Sequence, residues 1–142
     1  MQHRETNVLE WLDRATVETP DAPAVSDENE RLTYAQLADR VARIGSAVSH
    51  ELRGDVRKPV AVFAGRDAAS LCCMLGIAAS GNFYVPIDDA QPQGRIDAIL
   101  GQMQPAAVIV PAGQLPEGIA LPDGLRCSPA PTLLPAMPIL PC

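Results

Sequence analysis

Two adjacent carboxylates, Asp88 and Asp89, follow the apolar run Tyr84-Val85-Pro86-Ile87. Carboxylates at a strand end can hold a metal or divide acid and base work between them. Side chains at consecutive positions diverge, however, so this pair reads as turn chemistry, with Asp89 supporting the entry to a helix at Pro92. Cys72 and Cys73 are also adjacent and fall on a helix. They point in different directions there, cannot share a metal as C-x-x-C does, and read as small buried hydrophobes. His3 and His50 lie far apart and read as surface residues. Thr33 and Tyr34 offer hydroxyls, but Thr33 is expected to cap a helix and Tyr34 to pack. The ten glycines are scattered, and neither G-x-G-x-x-G nor G-x-x-x-x-G-K-[ST] occurs. Lys58 is the only lysine and sits just before a strand, out of place for a phosphate loop. Gly65-Arg66-Asp67 stands where a flavodoxin-like nucleotide binder would need its phosphate loop, and it is a poor one. The expectation is therefore of no catalytic, cofactor-binding or metal-ligating residue.

The elements that carry these residues follow from periodicity. Val8, Leu9, Trp11, Leu12 and Ala15 give a helix over about 6–18 with a broad apolar face, ended by Thr19-Pro20. Ala24-Val25-Ser26 and Arg31-Leu32-Thr33 predict a small hairpin across the polar loop Asp27-Glu28-Asn29-Glu30. Thr33 and Gln36 have capping-box spacing, and Leu37, Val41, Ile44, Val48 and Leu52 form the core stripe of the helix they open. Gly54 suits its left-handed C-terminal position. Val60 to Ala64 is a bare apolar strand, as a sheet covered on both faces requires. Asp67 caps a helix over about 68–80, with Leu71, Leu75 and Ala78 on one side and Gly81 closing it. Phe83-Tyr84-Val85 is a strand stopped by Pro86. Pro92 falls in the first turn of a helix through Ile96, Ile99, Leu100 and Met103, and residues 106–110 form another strand. The order β-α-β-α-β implies an α/β fold with parallel strands.

Eight of the 14 prolines lie from Pro111 onward. Residues 1–110 thus read as the folded region and 111–142 as an irregular, disordered Pro-rich tail, because proline removes a donor and restricts the residue before it. Prolines 129, 131, 135, 138 and 141 forbid a helix or a central strand there. This alternation of Pro, Ala and Leu is what a GC-rich gene yields out of frame, and a change of reading frame near codon 126 is the expectation.

Charge narrows the function classes. Eleven Lys and Arg against 17 Asp and Glu leave a net charge of −6. A nucleic-acid surface needs a basic face and a polybasic anchor needs clustered lysines, so neither nucleic acid nor membrane is expected as a partner. No apolar run approaches the roughly 18–20 residues of a spanning helix. No signal peptide is visible behind the charged start of the chain, and the cysteine spacing is not a disulfide framework, so the expected location is cytoplasmic.

Two stretches resemble the core motifs of the adenylate-forming superfamily of amino-acid adenylation domains, acyl- and aryl-CoA synthetases and luciferases. Leu32-Thr33-Tyr34-Ala35-Gln36-Leu37 is similar to its first motif, L-[TS]-Y-x-E-L, with Gln36 for Glu. Gly81-Asn82-Phe83-Tyr84-Val85-Pro86-Ile87-Asp88 is similar to the second, L-K-A-G-x-A-Y-V-P-[IL]-D, with Ala79 where lysine is usual. Pro20 to Val25, Val60 to Ala64 and Gln91 to Ile96 resemble the flanking pieces in the right order. Tyr84 to Asp88 points to the amino-acid-activating branch, of the peptide-synthetase or D-alanine-activating type. The resemblance covers about residues 6–110. It implies structural roles for Leu32, Thr33, Tyr34, Leu37, Gly81, Tyr84, Val85, Pro86 and Asp88.

The family's phosphate loop, adenine-binding stretch, ribose-binding Asp and catalytic Lys lie beyond the matched region. The resemblance therefore implies a fragment of an ATP- and Mg-dependent ligase, inactive alone, with the remainder of the enzyme or a carrier protein as partner. A small non-catalytic α/β interaction module and the N-terminal piece of an acyl-CoA synthetase are the alternatives.

Overall fold

The computed structural model describes residues 7–125 and the backbone of 127–129. Helix α1, Val8–Glu18, begins at Asn7, whose Oδ1 accepts from the Leu9 and Glu10 N–H groups. Strands β1, Pro23–Ser26, and β2, Arg31–Thr33, form the expected antiparallel hairpin. Helix α2, Tyr34–Glu51, carries the buried stripe Leu37, Val41, Ile44 and Val48. Gly54 follows it at φ +80°, a conformation that costs an L side chain.

A second sheet, of four parallel strands in the order β4-β3-β5-β6, forms the centre. Its strands are β3, Pro59–Phe63, β4, Phe83–Ile87, β5, Ala107–Val110, and β6, Cys127–Pro129. Helices α3, Ala68–Ala79, and α4, Gln93–Met103, are the crossovers. Alternation along the strands divides the core in two. Val60, Val62, Ala107 and Ile109 join α1, α2, α3 and the hairpin. Ala61, Phe63, Val108 and Val110 join Ile96 and Leu100 of α4 on the other face.

Helices α2 and α3 approach closely. A Cβ on Gly76 would lie 2.6 Å from Ile44 Cβ, and one on Gly45 would lie 3.1 Å from Ala79 Cβ. Pressed between α2 and the sheet, α3 is buried over most of its circumference, not on the single side that Leu71, Leu75 and Ala78 imply. Cys72 and Cys73 are both fully buried free thiols, and His50 is exposed. His3 lies outside the described residues.

Four expectations need correction. First, α1 buries only Leu12, while Val8 is 54% and Trp11 58% exposed, because the rest of its apolar face has no neighbour among the described residues. Second, β4 continues through Pro86 to Ile87. The Phe83 N–H donates to the Lys58 carbonyl at 3.1 Å, so alternation turns the nitrogens of Tyr84 and Pro86 to the open edge, where proline loses no ladder bond. Third, Pro92 is the N-cap of α4, one position before its first turn.

The fourth concerns the segment expected to be a disordered tail. Residues 111–125 contain no helix or strand, yet they are packed. Leu115, Ile119, Leu121 and Leu125 lie against the α4-side core. Gln93 fastens them to α4: its Nε2 donates to the Ala120 carbonyl and its Oε1 accepts from the Ala120 N–H, both at 3.0 Å. Apolar side chains at irregular spacing still cover an apolar face when the loop returns over it. Beyond this loop β6 pairs with β5, with Pro129 on a terminal strand and not a central one. Prolines 131, 135, 138 and 141 lie outside the described residues.

Candidate functional site

The two motif segments occupy different places. At the hairpin–α2 junction, the Thr33 N–H donates to Gln36 Oε1 at 2.9 Å and Thr33 Oγ1 accepts from the Gln36 N–H at 3.3 Å. The capping box therefore survives with glutamine in place of glutamate. The Tyr34 and Ala35 N–H groups, also unpaired within the helix, donate to the Ala22 and Pro20 carbonyls at 3.1 and 3.0 Å. Leu32 and Leu37 are buried, and Tyr34 packs partly against the same core. All four residues hold the hairpin against α2.

The second segment forms the sheet's edge. Gly81 turns the chain out of α3 at φ +82°. Tyr84 and Pro86 are exposed and Val85 is half-buried. Asp88 is exposed, and its Oδ1 accepts from the Ala90 N–H at 2.9 Å. The carboxylate that supports this turn is thus Asp88, not Asp89. Its partner is backbone, so no acid–base pair forms.

Sequence reading missed the polar groups that tie these pieces together. The Asp27 carboxylate accepts from the Asn29 and Glu30 N–H groups and, across 41 residues, from the Ala68 N–H at 2.8 Å. The bond from Ala68, followed by those from Glu30 and Asn29, holds its carboxyl below the usual carboxylate range. Beside it, Arg40 Nη1 donates to Glu30 Oε1 at 2.7 Å, which raises the guanidinium above its ordinary value. Burial raises the Cys72 thiol, against the influence of Arg40. Burial also pushes Cys73 up to about 12, so neither thiol is a ready nucleophile near neutral pH.

Asn82 is buried and fully used. Its Oδ1 accepts from the Lys58 N–H at 2.9 Å, and its Nδ2 donates to the Asp55 carbonyl and to Ser80 Oγ. It fixes where β3 and β4 begin. An Asp in a polar loop and an Asn after a glycine were the only signals, and neither names its partner.

The family model "AMP-binding enzyme" matches residues 12–136. The chain belongs to the AMP-binding enzyme family. Its match continues past Arg126, so the text still reads as AMP-binding sequence beyond the point at which a change of frame was expected. The D-alanine–D-alanyl carrier protein ligase of Listeria welshimeri is 31% identical over 118 residues, which are 83% of this chain and 23% of the ligase. A linear gramicidin synthase of Brevibacillus parabrevis is 39% identical over 120 residues, 82% of this chain and 2% of that protein. Among solved structures, the nonribosomal peptide synthetase FmoA3 superposes with a TM-score of 0.76 at 31% identity, over 94% of this chain and 14% of that one. The chain thus spans less than a quarter of the curated relatives it matches first.

An AMP-binding enzyme must hold phosphates, and the α3 N-terminus is the obvious helix end to test. Its donors are already taken. The Ala68 N–H donates to Asp27, and the Ser70 N–H donates to Asp67 at 2.7 Å. The preceding Gly65 N–H donates to Ser70 Oγ at 2.9 Å. Two carboxylates occupy the place a phosphate would need, and their charge repels one. These residues do not fit ATP, and the flavodoxin-like reading loses its phosphate loop. No group of three His, Cys, Asp or Glu side chains suited to a metal gathers among the described residues. Nor is any helix among them long and apolar enough to cross a membrane.

Proposed function

We propose that this chain supplies the N-terminal part of an amino-acid-activating ligase and is inactive by itself. The observation that carries the reading is the family match over residues 12–136 in a chain that spans 23% of a carrier-protein ligase. In the complete reaction an amino-acid carboxylate attacks ATP, releasing pyrophosphate, and the activated acyl group passes to a carrier-protein thiol. Stabilising the phosphate charge requires cationic groups fixed around it. The one lysine, Lys58, precedes β3, and the α3 N-terminus is filled by carboxylates.

The role of the chain is architectural: the capped α2, the α2–α3 packing and the central sheet form a platform for the catalytic parts. The remainder of the enzyme is the first partner and a carrier protein the second. ATP–pyrophosphate exchange across the twenty amino acids tests this. The chain alone should stay at blank, and exchange with any one amino acid would overturn the proposal.

A further inference from the structure

We propose that the β4 edge, carried by Phe83 and Tyr84 with Val56 beside their base, is the surface on which the remainder of the adenylating enzyme seats. This inference rests on the functional reading above and names where its partner binds. Phe83 is 46%, Tyr84 42% and Val56 53% exposed, whereas Val60, Ala61 and Val62 on the neighbouring strand are 0% exposed. The parallel register sets Phe83 beside Pro59 and Tyr84 beside Val60, so consecutive aromatic side chains project from opposite faces of the sheet.

Bare aromatic rings on both faces of one strand mean that both covering layers stop short of β4. An ordinary terminal strand needs only its outer ladder groups solvated, and it is usually blunted by charge. Here the bared surface is aromatic and aliphatic, the composition of an interface centre. Val56 lies against Gly81, where the turn into β4 starts. The Arg57 N–H donates to the Gly81 carbonyl at 2.8 Å, which fixes that turn before any partner arrives.

The occupant follows from length. The Listeria welshimeri ligase devotes 23% of its chain to the matched region, leaving more than three quarters to cover what this part exposes. Pro86 turns its nitrogen to the open edge and cannot donate to an added strand, so side-chain packing on Phe83 and Tyr84 carries the contact.

The test mixes the full 142-residue chain with the part of the Listeria welshimeri ligase that follows its matched region, produced as a separate polypeptide. Binding is read by light scattering on a sizing column and by titration calorimetry. A one-to-one complex is expected, weakened at least about tenfold by the double variant Phe83→Ser, Tyr84→Ser. Val17→Ser on α1, at an equally exposed apolar residue, should leave affinity unchanged, and thermal melts verify that each variant remains folded. Absence of a complex with the unmodified chain, or equal binding by the double variant, overturns the proposed surface. Pyrophosphate exchange separates the two readings. A complex that is sensitive to the double variant but never catalyses exchange keeps the surface and sinks the ligase reading. Exchange that ignores the double variant does the reverse.

Discussion

Strands β3 and β4 lie side by side, paired in register from Pro59 with Phe83 to Phe63 with Ile87, yet they meet opposite surroundings. Val60, Ala61 and Val62 of β3 are sealed between α2 and α3 on one face and α4 on the other. On β4 only Ile87 reaches the core, and Phe83 and Tyr84 stand bare. Both strands are apolar. What differs is the number of layers around them, which depends on position in the sheet and on how far the covering helices extend. One strand completes a core within this chain, and the other has the character of half an interface.

Substitutions can sharpen that contrast or break it. Ile77 on α3 is fully buried in the sealed half. Ile77→Ala should cost about 2–5 kcal/mol in urea unfolding, because both burial and a cavity are at stake. A loss below about 1 kcal/mol would mean that this core is loose and the contrast overstated.

The close approach of α2 and α3 comes next. Gly76→Ala drives a methyl into Ile44 and should destabilise the chain by about 1–3 kcal/mol through overpacking. If the variant is neutral or more stable, the two helices do not pack as closely as the geometry requires.

At the junction of the hairpin with α2, Thr33→Ala removes one half of the capping box and should cost about 1 kcal/mol. Thr33→Ser should retain most of that stability, since the serine hydroxyl can accept the same Gln36 N–H. An equal loss for both variants would point to the threonine methyl in place of the cap.

Smallest of all is the expected effect of Tyr84→Ser on the chain alone, within about 0.5 kcal/mol, as for other exposed positions. Its consequence should appear only when the remainder of the enzyme is present. A loss of several kcal/mol in the isolated chain would show that Tyr84 already belongs to a core and that β4 is not a bare edge.

Much of this was determined by local sequence. The α2 stripe from Leu37 to Val48, the Thr33–Gln36 cap, the glycine turns at Gly54 and Gly81 and the bare apolar strands β3 and β5 follow from periodicity and from the chemistry of adjacent residues. The two motif segments resemble an adenylate-forming family in the sequence alone, and the family match bears this out.

Other features were decided only in three dimensions, because they join residues far apart in the chain. Asp27 reaches Ala68, Arg40 reaches Glu30, and Asn82 binds Lys58 and Asp55, each from a segment with nothing periodic to mark it. The loop over 111–125 carries the turn residues and prolines of a tail, yet packs because α4 leaves an apolar face for Leu115, Ile119, Leu121 and Leu125. Apolar pattern alone could not separate β3 from β4, since hydrophobicity states what a strand prefers to be covered by. Sheet order determines whether that cover is present.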